Sequence, residues 1–226
     1  MSKALAIAPK EEGLPSSKAG MRTARSPRKP RRPAAETRED ILNTAEELFR
    51  TKGFTNVAMA DVAAALGMSP ANVFKHFHSK THLVDAISVR HLEAMIDRLA
   101  RPDDHKAPPE RLLLFVEQLM ESHLRDLQKS PHIFEMIVFS AGQELPCAEQ
   151  YREMLIDDIA QIIDAGVESG IYHVKDSRKT AEIATMALAC VLHPVLIAKE
   201  KADILATRCR EVVALIDTAL QNPLAK

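Results

Sequence analysis

Cysteine, glycine and long apolar runs are all scarce in this 226-residue chain, and each scarcity excludes something. Cys147, Cys190 and Cys209 are too few and too scattered for a disulfide framework or a zinc knuckle. That usage suits a reducing cytoplasm, the compartment expected here. No apolar run approaches the ~18 residues of a membrane-spanning helix, and the N-terminus lacks a signal peptide's apolar core. No membrane partner is expected. Catalytic signatures are missing as well: no Gly-rich phosphate loop, no GxSxG, no HExxH. Asp157 and Asp158 are adjacent, so on a helix they point about 100° apart and make no carboxylate pair. The His and Cys residues show no clustered metal spacing. The expectation is a non-enzyme without metal or cofactor. Only seven glycines, few β-branched alternations and many Ala, Leu and Glu residues favour an all-α fold.

What is present is a core and an uneven charge. Hydrophobic residues make up 46% of the chain, enough to bury an interior. The net charge of −1 hides an asymmetry: residues 1–36 carry nine Lys/Arg against Glu11, Glu12 and Glu36, a net +6, which leaves −7 for the rest. That segment also holds Pro9, Pro15, Pro27, Pro30 and Pro33 and shows no apolar period. It reads as a disordered basic arm suited to a polyanion.

The helical pattern starts at Thr37-Arg38-Glu39-Asp40, a capping-box-like stretch with Asp in place of Glu/Gln. Ile41, Ala45, Leu48 and Phe49 share one face, and Gly53 ends that helix. Met59, Val62, Ala63 and Leu66 recur at helical spacing, and Gly67 sits where a left-handed residue ends a helix. Ser69 can then cap a further helix with Pro70 at its first position, and Val73 and Phe77 give it an apolar side. Two short helices across so brief a turn read as helix-turn-helix. Val57 and Ala58, just before the first of them, cannot cap it; Asn56 or Thr55 is the expected substitute.

The stretch Thr37–Ile87 resembles the N-terminal domain of TetR-family transcriptional regulators. The matching residues are Ile41-Leu42, Ala45, Leu48-Phe49, Gly53-Phe54, Asp61-Val62-Ala63, Leu66-Gly67-Met68-Ser69, Lys75-His76-Phe77, Ser79-Lys80 and Leu83. Beyond residue 100 the likeness is architectural. The resemblance implies three parts: the arm at 1–36, a helix-turn-helix domain at 37–82, and a helical effector-binding and dimerisation domain at 83–226. It implies a homodimer on a palindromic double-stranded DNA operator, most simply a repressor released by a small apolar or amphipathic ligand. Asn72 is the candidate base reader, since its amide matches adenine N6/N7. Ser69, Pro70 and Ala71 would approach the groove, and Lys75, His76 and Lys80 would meet phosphates. Phe74 stands where the family usually has Tyr and cannot donate to a phosphate.

Ser79 should cap a fourth helix from Lys80 to about Leu99, which joins the reading head to the remainder. Pro102–Pro109 is the clearest interior linker. Five amphipathic stretches follow, starting near Pro109, Pro131, Pro146, Asp176 and Ala202, with Pro194 expected to kink or interrupt the fourth. The last two are apolar on more than one stripe, so Leu188, Val191, Val212, Leu215 and Ile216 are candidates for the dimer interface. Phe115, Met120, His123, Phe134, Ile137, Met154, Met186 and His193 are candidates to line a pocket between helices. Two other readings compete: a DNA-bound regulator without any small-molecule effector, and a helical enzyme or binding protein that never touches DNA.

Overall fold

The computed structural model describes residues 33–99 and 106–222, and among them there are helices and no strands. The order is α1 (Ala34–Lys52), a single 3-10 turn (Phe54–Asn56), α2 (Met59–Ala65), α3 (Pro70–His76), α4 (Lys80–Asp97), α5 (Pro108–Lys129), α6 (Pro131–Gly142), α7 (Pro146–Glu168), α8 (Ser177–Leu192), α9 (Pro194–Ile197) and α10 (Ala202–Gln221). The basic arm falls outside the described residues up to residue 32. Its expected end is corrected: Ala34–Glu36 already belong to α1, because two alanines and a glutamate favour helix and nothing after Pro33 stops them. Residues 102–105 of the expected linker also fall outside, and Pro108 opens α5.

Proline punctuates the chain consistently. Pro70, Pro108, Pro131, Pro146 and Pro194 all occupy the start of a helix, where a missing N–H costs nothing. Of the two outcomes expected at Pro194, the helix is interrupted rather than kinked: His193 turns extended, α8 ends, and α9 begins. Side-chain caps lie at Ser79, whose Oγ accepts from His82 N–H at 3.0 Å, and at Asp176, whose carboxylate accepts from Lys179 N–H at 2.9 Å.

Two clusters of buried side chains organise these helices. The first gathers Ile41, Leu42, Ala45 and Phe49 of α1 with Val62, Ala63, Val73, Phe77, Leu83, Val84 and Ile87, and takes in Ile133 and Met136 of α6. The second runs from Met95 through α5, α7, α8 and α10 to Leu220. Helix α4 contributes its start to one cluster and its end to the other, so it is the shared rod.

Gly166 shows how tightly α7 closes. A Cβ there would sit 2.0 Å from Cδ2 of Tyr172, so only glycine lets that ring lie on the helix. Tyr172 is buried and donates its hydroxyl to Asp217 of α10 at 2.8 Å.

One expectation on membranes needs correcting. Ser177–Ile197 has a mean hydropathy of 1.7 and is long and apolar enough, by length and composition, to cross a bilayer. In this fold it is broken at His193 and packs α8 against α7 and α10, burying Ala181, Ala184, Leu188, Val191 and Leu192.

Candidate functional site

The turn between α2 and α3 is built by its backbone. Gly67 adopts φ +63°, and the N–H groups of Gly67 and Met68 return to the carbonyls of Ala64 and Ala63 at 3.1 and 3.0 Å. That pair of bonds is a Schellman closure, and the left-handed residue it requires is the reason for glycine. Ser69 stands at the cap of α3, yet its side chain makes no capping bond; only its carbonyl accepts, from Asn72 N–H at 2.9 Å. The poor start of α2 is repaired from within the helix. Asp61 accepts from Ala58 N–H at 2.7 Å, while Asn56 donates instead to the Lys52 carbonyl. Neither Asn56 nor Thr55 takes over as the cap.

Ser69, Pro70, Ala71, Phe74 and Lys75 are exposed along α3, while Val73 and Phe77 anchor it from beneath. Asn72 and His76 are half-buried, and the Asn72 amide rests 3.6 Å from the Met68 sulfur. Lys80 is less free than its position suggested. Its ammonium donates to the Thr55 carbonyl at 3.1 Å and lies 5.7 Å from the Phe54 ring centre, tying α4 to the turn before α2.

Behind this surface lies a cavity of about 580 Å³ walled by α4, α5, α6, α7 and α8. Four of the expected pocket residues line it: His123, Ile137, Met186 and His193. Phe115, Met120 and Phe134 are instead buried in the cores, and Met154 packs against one of them. The correction is one of helix phase, since those side chains point between helices rather than into the gap. Ser88, His91, Leu92, Met95, Tyr151 and Thr185 also line it, beyond the residues expected from the sequence. A signal existed for Thr185, a polar residue on an otherwise apolar stripe, spaced four from Ala181.

His123 Nε2 and the Tyr151 hydroxyl are 2.8 Å apart with their rings perpendicular. Burial, and secondarily the proximity of His193, holds the His123 imidazole down to about 4, and burial raises the Tyr151 phenol. Both are uncharged near neutrality. His123 Nδ1, Thr185 Oγ1 and His193 Nδ1 are buried without a hydrogen-bond partner among the described residues. Cys147, also on the wall, has its thiol pushed up to about 11 by burial and then by Asp85, which disfavours the thiolate.

The cavity wall is wired to the reading head. His91 lines it and bonds Glu46 of α1 at 3.2 Å. Neighbouring Arg90 reaches Glu39 and Asn43 of α1, and Glu46 also accepts from Arg50, which donates to Ser130 at the start of α6. On the α6 side, Ser88 and Ser140 hydroxyls pair at 3.0 Å, and Asp85 accepts from the Cys147 N–H at 2.9 Å.

The proposed interface residues divide. Leu188 and Val191 are fully buried in the chain's own core and Ile216 nearly so, because α8 and α10 bury those stripes against α5 and α7. They cannot face a second copy, which corrects that expectation. Val212 is half-buried and Leu215 is 70% exposed on α10, and on α8 Ile183 is 63% and Met186 78% exposed.

Two family models match this chain. One, described as bacterial regulatory proteins of the tetR family, covers residues 41–87; the other, a tetracyclin repressor-like C-terminal domain, covers 108–213. Among curated relatives, the HTH-type transcriptional regulator UidR of Escherichia coli K12 is 32% identical over 89 residues, 39% of this chain and 42% of the relative. The chain thus spans about two fifths of the length of that relative. AcrR of Shigella flexneri is 25% identical over 202 residues, 84% of this chain and 91% of the relative. Among solved structures, a flavonoid-responsive regulator, FrrA, matches with TM-score 0.60 at 21% identity over 85% of this chain and all of its own. FadR of Thermus thermophilus in complex with lauroyl-CoA matches with TM-score 0.60 at 17% identity over 84% of this chain and 98% of its own. These structures share its fold.

Proposed function

The chain belongs to the TetR family of bacterial regulatory proteins, and from that premise we propose that it is a ligand-responsive, sequence-specific DNA-binding regulator of transcription acting in the cytoplasm. The observation that carries this reading is the continuity from α3 to the cavity. Helix α4 starts beside the helix-turn-helix, supplies Leu83, Val84 and Ile87 to its core, and ends as a wall of the cavity through Ser88, His91, Leu92 and Met95. A molecule bound there touches the rod that positions the head.

In this reading α3 lies in the major groove, Asn72 reads a base, and Lys75, His76 and Lys80 hold phosphates. Two copies meet through the outward residues Ile183, Met186 and Leu215, so two heads address the halves of a palindromic operator. The ligand shifts the population between DNA-competent and released arrangements by its differential affinity for them. Known relatives that respond to a flavonoid or carry lauroyl-CoA support a small organic effector without naming this one. The chain catalyses nothing in this account.

The test is a DNA fragment selected from random sequence by the full-length protein, followed in a mobility shift. Saturable, salt-sensitive binding to a palindrome supports the proposal; failure to select any sequence ends it.

A further inference from the structure

Building on the ligand-responsive reading, we propose that the cavity takes an uncharged, mainly apolar small molecule bearing a hydrogen-bond-accepting oxygen, held against His123, Thr185 and His193.

The proton inventory of the wall points this way. Neutral His123 and Tyr151 have two polar protons between them and share one hydrogen bond, at 2.8 Å. If the tyrosine donates, Nδ1 of His123 keeps a spare N–H; if the histidine donates, the tyrosine keeps a spare O–H. Either tautomer leaves one surplus donor. His123 is 3% exposed and Thr185 8%, yet Nδ1 of the one and Oγ1 of the other lack a partner among the described residues, as does His193 Nδ1. Buried polar atoms left so are costly, and an accepting oxygen relieves them.

The rest of the wall rejects anions. Asp126, Glu144, Glu149 and Glu182 line it with a single arginine, Arg152; Asp126 is paired with Arg98 and Glu149 with Arg152, so Glu144 and Glu182 leave a negative balance. Ile137, Leu155, Ile156 and Leu192 supply apolar surface. A carboxylate ligand would meet this field directly, and a hydrocarbon would leave the spare donor unmet.

Three probes of matched shape test this on the full-length protein by equilibrium dialysis: benzophenone, diphenylmethane and 4-benzoylbenzoate. Benzophenone should bind, and the carboxylate at least tenfold more weakly. The ratio of ketone to hydrocarbon affinity should fall roughly tenfold in Thr185→Val and in the double variant His123→Phe/Tyr151→Phe, which removes both members of the pair so that neither is left without the other. Thr185→Val is nearly isosteric and keeps the test alive if the double variant fails to fold. No benzophenone binding below millimolar, an unchanged ratio in folded variants, or a carboxylate as tight as the ketone overturns the proposal. The same probes added to the DNA complex separate it from the reading beneath. Ketone binding that obeys the ratio but releases no DNA leaves the ligand class standing and removes ligand response; release without the ratio change does the reverse.

Discussion

His91 on the cavity wall and Glu46 in the first helix of the reading head are joined by a 3.2 Å hydrogen bond. The partners are 45 residues apart in the chain, so only the fold brings them together. Glu46 also pairs with Arg50 and lies 3.7 Å from Arg90, so one carboxylate collects contacts from α1 and α4. The His91 bond, ahead of the arginines, lowers its pKa to about 2.

That depression sets a pH dependence. A carboxyl whose folded pKa is lowered contributes stability above its unfolded value, near 4.5, and loses it as pH falls toward 2. Glu46→Gln should therefore cost about 1–3 kcal/mol at pH 7, discounted for partial exposure. The difference from the parent should shrink between pH 4.5 and pH 2. Urea unfolding at several pH values reads both; a constant difference across that window would mean that the carboxylate charge is not what Glu46 contributes.

Asn72 is the residue proposed to read a base. A bidentate Asn–adenine pair is worth about 1–3 kcal/mol of discrimination. Asn72→Ala should lose that on the selected operator and leave random-sequence binding unchanged. To pair, the amide must leave the Met68 sulfur, a weak contact at 3.6 Å. Changing one base pair per half-site should harm the parent and not the variant. Additive losses in that double-mutant cycle would show that Asn72 touches something else.

Lys80 is proposed both as strut and as phosphate contact. Its ammonium has two N–H groups beyond the one given to Thr55. Lys80→Ala should flatten the dependence of log K on log salt by about 0.9. It should weaken all sequences alike. An unchanged slope with lowered stability would assign Lys80 to the strut alone.

Dimerisation should respond oppositely to two leucines. Leu215→Glu alters a side chain 70% exposed on α10, so folded monomers with weak operator binding are expected. Leu188→Glu buries an unpaired carboxylate in the chain's own core and should unfold it, at a cost of several kcal/mol. Sedimentation and circular dichroism together distinguish the two. A Leu215→Glu protein that stays dimeric at micromolar concentration would move the interface elsewhere.

Gly166→Ala should destabilise by about 1–3 kcal/mol or more, because the added methyl must displace the Tyr172 ring. Tyr172→Phe, which loses only the bond to Asp217, should cost about 1 kcal/mol. Denaturant titration gives both values, and equal losses would place the strain outside this contact.

The sequence by itself determined what local rules govern. Helix spacing, Pro at helix starts, Gly67 at a left-handed turn and Ser79 as a cap depend on neighbours within a few residues, and they yielded the helices and the turn between α2 and α3. Tertiary structure decided which stripe of each helix faces inward. An apolar residue satisfies a core, a cavity wall or a partner subunit equally, so Leu188 and Leu215 looked alike on paper although one is fully buried and the other 70% exposed. It also decided the long-range bonds: Ala58 finds Asp61 nearby, but Lys80 finds Thr55, His91 finds Glu46, and His123 finds Tyr151 across distances where the fold alone selects the partner. Those bonds follow from packing angles between helices, which depend on the sum of many weak contacts and leave no short pattern to read.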